Sequence, residues 1–425
     1  MRNRPRVAVM PIGTVSSPEV NRDLRRIKHE IASAEFEPIF LSPEIHELEV
    51  IRTAEAARKT DPDLLLLVPL HGGSAQQQVL AAETCKTFTV IWSLPRRFSM
   101  PSGAIAYGAL VERGTIVKYV YGNPGLQVIA KLEDYARVAY AINRLRTSRI
   151  GVIGRVLPNM VASEYDVNVI RSNLGPHVTT VEIADLQDTL RKVREGDLDR
   201  AISGLDNFRL KASAPRIRDA MRVHLAVKKI TEERKLDAMA MECWTEILRL
   251  FQVTPCMGYV EDAYAIGCEG DVVGAALLLM IEYLTDKPAV MLDVFSLTGS
   301  ILKMSGMCSA PASISKVSDV TICEMAIPPM FNIKQRVVAV RPAIKWKTVT
   351  LLRISGKNVN KLHLVHGRIL GVDREHYVEI KIKLTGKVDH FIENLHGHLY
   401  AVVPGDISDR VKLFCEWAGL RLVET

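Results

Sequence analysis

Two rhythms of apolar and polar positions alternate along the first third of the chain. Short apolar runs stand at residues 6–13 (RVAVMPIG), 37–42 (EPIFLS), 63–73 (DLLLLVPLHGG) and 87–93 (TFTVIWS). Between them lie stretches with helical spacing, at about residues 17–35 and over ELEVIRTAEAARKT, 47–60. The unbroken run LLLLV suits a strand covered on both faces, as in a parallel sheet. Strand–helix alternation of this kind predicts a doubly wound α/β sheet. Ligands of such sheets bind beyond the carboxyl ends of the strands, here the loops PLHGGSAQQQ and SLPRRFSMPSG.

The pattern restarts at RIGVIGR, 149–155, and continues through VTTVEIADL (178–186) and LDAMAMECW (236–244). A second Rossmann-like α/β domain is therefore expected. The run CEGDVVGAALLLMIEYL, 268–284, reads as a helix buried on every side, entered past two acids. From about residue 313 period-two stretches dominate: RVVAVRPAI, TVTLLRISG, KLHLVHGRIL and YVEIKIKL. They predict an antiparallel barrel or sandwich. The expected organisation is α/β: two doubly wound domains, 1–148 and 149–267, then a mostly antiparallel β domain, 268–425.

Composition narrows the function classes. The net charge is +7 over 425 residues, with Lys and Arg scattered apart from short clusters such as Arg25–Arg26 and Arg96–Arg97. No basic tail or arginine-rich arm is present, so nucleic acid is not an expected partner. Seven cysteines without a CxxC pair argue against a disulfide framework or zinc ribbon and for a reducing, cytoplasmic setting. No apolar run reaches the roughly 18 residues of a membrane span.

Candidate chemistry lies in three places. Asp271 stands where a helix N-cap is expected, and Glu269 reads as a loop acid or a site acid. Glu246 follows a strand into a first helical turn, with Glu242 as the nearby alternative. His396 and His398, in ENLHGHLYAVVPGD, can face one side of a strand. P-loop, GxSxG and HExxH motifs are absent.

Taken together, ECWTEIL, the stretch TPCMGYVEDAYAIGCEGDVVGAALLLMIEYLTDKPAVMLDV and HGHLYAVVPGD resemble the L-fucose isomerase/L-arabinose isomerase superfamily. The resemblance runs in order along the whole chain. It implies a divalent metal, typically Mn2+ with Mg2+ or Co2+ as alternatives, held by Glu246, Asp271 and His398, with His396 the near competitor to His398. The arabinose-type second histidine has no counterpart in KMSGMCSAP, 303–311. The implied reaction is aldose–ketose isomerisation through an enediol, with Glu246 and Asp271 exchanging the proton. His71, Ser74, Gln76 and Trp244 are the expected sugar contacts, and a homo-oligomer, trimer or hexamer, is expected. Two alternatives stand beside this reading. One is the same chemistry on a modified or phosphorylated sugar, which Arg96–Arg97 would suit; the other is a non-catalytic sugar-binding or regulatory relative.

Overall fold

The structure, a computed structural model, describes residues 4–15, 17–261, 264–306, 309–327, 335–373 and 378–425. Residues 307 and 308 of the KMSGMCSAP stretch and Tyr377 of YVEIKIKL lie outside the described residues. The chain divides into two units, Met1–Asn143 and Arg144–Thr425.

In the first unit, β1 (Arg6–Ile12), β2 (Glu37–Phe40), β3 (Leu64–Pro69), β4 (Phe88–Ser93) and β5 (Val117–Tyr121) form one parallel sheet in the order β2-β1-β3-β4-β5. The run read as buried, β3, is buried at all of its positions. Helices α1 (Pro18–Ala32), α2 (Glu47–Lys59), α3 (Ala75–Cys85) and α4 (Ser99–Glu112) connect the strands, and α5 (Leu126–Thr147) follows β5. Ser17 caps α1 through its side chain. The loops expected at the ends of β3 and β4 are shorter than the sequence implies. Ala75–Gln78 and Ser99–Gly103 already belong to α3 and α4. Alanine and glutamine are good helix formers, and a proline at position 101 is tolerated in a first turn.

The second unit opens with a parallel sheet in the order β10-β9-β6-β7, built from β6 (Arg149–Ile153), β7 (His177–Val181), β9 (Ala238–Met241) and β10 (Ala265–Cys268). Its winding repeats that of the first sheet. Helices α6 (Val167–Asn173), α7 (Ile183–Arg191), α8 (Glu195–Ser203), α9 (Ala214–Arg234) and α10 (Leu248–Phe251) accompany it. The short β8 (Arg209–Leu210) joins β13 (Thr321–Ala326) and β14 (Arg336–Arg341) in a separate small sheet. RVVAVRPAI is thus a strand, as its pattern implies, but not a strand of the large β sheet.

That large sheet begins earlier than its period-two pattern shows, at β11 (Val290–Thr298) and β12 (Ile301–Gly306). With β15 (Thr348–Ile354), β16 (Lys361–Asp373), β17 (Val378–Leu384) and β18 (Leu399–Pro404) it closes on itself, since β15 pairs with both β16 and β18. The result is an antiparallel barrel, with β19 (Arg421–Glu424) added parallel to β16. Helices α12 (Val388–Glu393) and α13 (Ser408–Ala418) complete the C-terminal part. Leu292, Met304, Ile380, Tyr400 and Val402 fill its core. Between the second parallel sheet and the barrel runs α11 (Val272–Thr285), touching β9 and β10 on one side and β15 and β18 on the other. Burial from both sides explains why this helix has almost no polar face. Among the described residues no helix is long and apolar enough to cross a membrane.

Candidate active site

The acid-bearing turn between β10 and α11 is the organising feature. Glu269 and Gly270 both have positive φ, 58° and 80°. Positive φ is costly for a glutamate and ordinary for a glycine. The turn is pinned on three sides: Gly270 N–H donates to the Met241 carbonyl (3.0 Å), Leu157 N–H to the Glu269 carbonyl (3.1 Å) and Asp271 N–H to the Cys268 carbonyl (2.9 Å). The Glu269 carboxylate is buried. Its Oε1 accepts the indole N–H of Trp244 at 3.0 Å, and its Oε2 lies 3.5 Å from His398 Nε2.

A second carboxylate approaches the same imidazole. Asp293 Oδ1 is 3.5 Å from His398 Nε2. Asp293 lies in β11, paired with Leu399 at the start of β18, and the Val294 N–H donates to the His398 carbonyl at 2.8 Å. Barrel pairing therefore places Asp293 beside His398 whatever their side chains do. Asp293 Oδ1 is buried and makes no hydrogen bond beyond that long approach. Burial, and then the neighbouring Glu269, hold its carboxyl well above the usual carboxylate range, with His398 opposing. The ion pair with Glu269 correspondingly raises the His398 imidazole. The His398 side chain keeps 40% of its surface open, so solvent reaches the cluster.

Asp271 has a different part. It caps α11, its Oδ1 accepting from Gly274 N–H at 2.9 Å, while its Oδ2 takes a buried ion pair from Arg353. Glu246 is half-buried in a π-helical turn, Cys243–Ile247, whose N-terminal N–H groups are capped by Glu242. A side chain at Gly154, just past β6, would meet the Glu246 carboxylate at 2.7 Å, which places that acid at the carboxyl ends of β6 and β9. His398 is within ion-pair distance of Glu269 and Asp293, and of neither Glu246 nor Asp271. His396 turns the other way, against His363.

Trp244 is 0% exposed, so its ring stacks on no ligand; its contribution is the hydrogen bond to Glu269. In the first unit, His71 sits at the switch point between β1 and β3, where its Nε2 accepts the Thr14 N–H at 2.9 Å. Ser74 is buried and bonded to Ser102, and Gln76 is exposed and donates to Glu47. Arg96 and Arg97 both pair with Asp23, so neither is an isolated cationic receptor.

Sequence reasoning left Glu269 as a possible loop acid and passed over Asp293. The one signal for Asp293 is a lone acid inside the apolar run AVMLDVF. Among the described residues no group of three or more His, Cys, Asp and Glu side chains stands in ready-made ligand geometry. The Glu269–His398–Asp293 cluster fits a divalent cation on other grounds. Two carboxylates and one imidazole are a hard, oxygen-rich donor set, and Asp293 Oδ1 is a buried oxygen short of a donor.

No known protein-family pattern matches the chain. It is similar to the sulfoquinovose isomerase of Priestia aryabhattai, 23% identical over 259 residues, which are 56% of this chain and 56% of that protein. The Priestia megaterium sulfoquinovose isomerase gives the same figures. That of Alkalicoccus urumqiensis is 22% identical over 176 residues, 39% of each chain. The match thus spans about half the length of the first two relatives. Among the solved structures it is similar to are two ABC transporter solute-binding proteins. The one from Bacillus halodurans, with bound myo-inositol, is 12% identical and covers 68% of this chain and 91% of its own, at a TM-score of 0.20. The one from Agrobacterium vitis, with bound α-D-tagatopyranose, is 10% identical and covers 66% and 90%, at a TM-score of 0.19.

Proposed function

We propose that the chain is a metal-dependent aldose–ketose isomerase whose cation is held by Glu269, Asp293 and His398. The observation that carries this reading is the convergence of a buried carboxylate, Glu269, and a half-buried one, Asp293, on one solvent-accessible imidazole at the carboxyl end of a parallel sheet. The similarity to sulfoquinovose isomerases supports sugar isomerisation as the reaction class. It also brings sulfonated sugars into the substrate panel.

A bound divalent cation would polarise the carbonyl of an open-chain sugar and offset the negative charge that develops on the enediolate. The residues of this chain divide the remaining work. Trp244 and the strained turn hold Glu269 in one orientation, and barrel pairing holds Asp293 against His398. Glu246, half-buried at the same strand ends and outside the His398 cluster, is the carboxylate available to carry a proton. In the aldose-to-ketose direction it takes the C2 proton and returns it to C1 on the same face, while the O2 hydroxyl proton moves to O1. The reverse reaction runs the same path backwards.

The test is hydrogen exchange at C2. Mn2+-loaded protein in deuterated water is given neutral, 6-phosphorylated and 6-sulfonated aldoses, and each is followed by NMR. Deuterium at C2 with appearance of ketose is expected for at least one class. Glu269→Gln and Asp293→Asn should lose Mn2+ binding together with exchange, whereas Glu246→Gln should keep Mn2+ and lose exchange. Saturable Mn2+ binding with neither ketose nor exchange across the panel would refute the isomerase reading. Loss of Mn2+ in Glu246→Gln, with Glu269→Gln unaffected, would restore the ligand set that the family resemblance implies.

A further inference from the structure

We propose that Arg353 is the positioning residue that sets the separation between the Glu269 turn and the His398 loop. The inference rests on the reading of Glu269, Asp293 and His398 as a cation site. Arg353 lies near the end of β15 and its side chain is 1% exposed. Its guanidinium reaches three segments that are far apart in sequence. Nη1 pairs with Asp271, two residues beyond Glu269. Nε donates to the carbonyl of His396, two residues before His398, at 3.4 Å, and Nη2 donates to Ser163 Oγ at 3.1 Å. Ser163 ends a short turn in the loop after β6.

The segment between His396 and His398 is built around this contact. Gly397 has φ +129°, and a side chain there would stand 3.5 Å from Arg353 Nε. One planar cation is therefore fastened to two of the three chain segments that carry candidate ligands, those of Glu269 and His398. Asp271, which the family resemblance implies as a ligand, acts on this account through Arg353 and not on the cation. Lysine could neutralise Asp271, but a single ammonium lacks the fixed fork needed to reach the His396 carbonyl and Ser163 at the same time. Charge and geometry can thus be separated by experiment.

Mn2+ binding is measured by EPR for the whole protein, for Arg353→Lys and for the double variant Asp271→Asn/Arg353→Met. Melting of each metal-free protein is followed by circular dichroism. Arg353→Lys is expected to melt cooperatively near the wild-type temperature yet bind Mn2+ about tenfold or more weakly, as when an outer partner of a ligand is lost. That split between stability and affinity is not what a purely structural arginine would give. The double variant leaves no unpaired buried charge, and it decides the matter if Arg353→Lys fails to fold. Wild-type affinity in either folded variant overturns the positioning role and leaves the cation site standing. Failure of the wild-type protein to bind Mn2+ overturns the cation site, and the positioning role with it.

Discussion

Glu269 meets two demands at once: a backbone conformation that suits glycine and a buried carboxylate that must point one way. The indole N–H of Trp244 donates to one oxygen of that carboxylate at 3.0 Å, and His398 Nε2 stands 3.5 Å from the other. Hydrogen bonds to charged groups contribute about 1.5–3 kcal/mol each. Trp244→Phe keeps an aromatic ring in the core and removes the donor. It should weaken Mn2+ binding about 10–100-fold while the protein stays folded, read by metal titration beside a thermal melt. Unchanged affinity would show that the backbone turn alone orients Glu269. Glu242 and Asp271 make the contrasting case, since helix-terminal N–H groups occupy both. An acid at a helix start is legible in sequence as a cap. Whether it is also free to bind anything depends on neighbours such as Arg353, which lies 82 residues from Asp271.

At the scale of elements, the turn joining β10 to α11 leaves little room for change. A side chain at Gly270 would meet the Arg155 carbonyl at 2.5 Å, with φ already at +80°. Gly270→Ala should therefore cost about 1–3 kcal/mol, from the left-handed backbone and the clash together, and should lower the melting temperature. The loss should exceed that from Gly196→Ala, where no atom lies within 4 Å. The barrel carries a pH dependence of its own. His363, in β16, is buried between Tyr400 and Thr425, and burial, with His396 next, pushes its imidazole down from 6.5 to about 4. Between those values the unfolded chain binds a proton that the folded barrel refuses. Stability should thus be fully present above about pH 6.5 and fall as the pH drops towards 4. Urea unfolding at pH 7 and pH 5 would show the slope, and His363→Gln should flatten it.

At the scale of the whole molecule, all three candidate ligands lie in the unit Arg144–Thr425, yet they come from a sheet turn, a barrel strand and the loop before another. A cation bound there ties the parallel sheet to the barrel. Mn2+ at about 100 times its dissociation constant should add about 2.7 kcal/mol to that unit by mass action, and EDTA should remove it. Hydrogen exchange should show new protection in residues 265–298 and around His398. Protection confined to other segments would place the cation elsewhere.

Local pattern was enough to read the strand–helix alternation, the doubly buried helix and the cap at Asp271. Each depends only on periodicity or on the chemistry of one chain segment. The same holds for the histidine pair ahead of β18. Tertiary structure decided which acid meets which imidazole. Asp293 reaches His398 because β11 pairs with β18 across more than a hundred residues, and Asp271 is withdrawn because β15 delivers Arg353 to it. Barrel closure and a buried ion pair are long-range events, and a sequence read segment by segment carries no record of them.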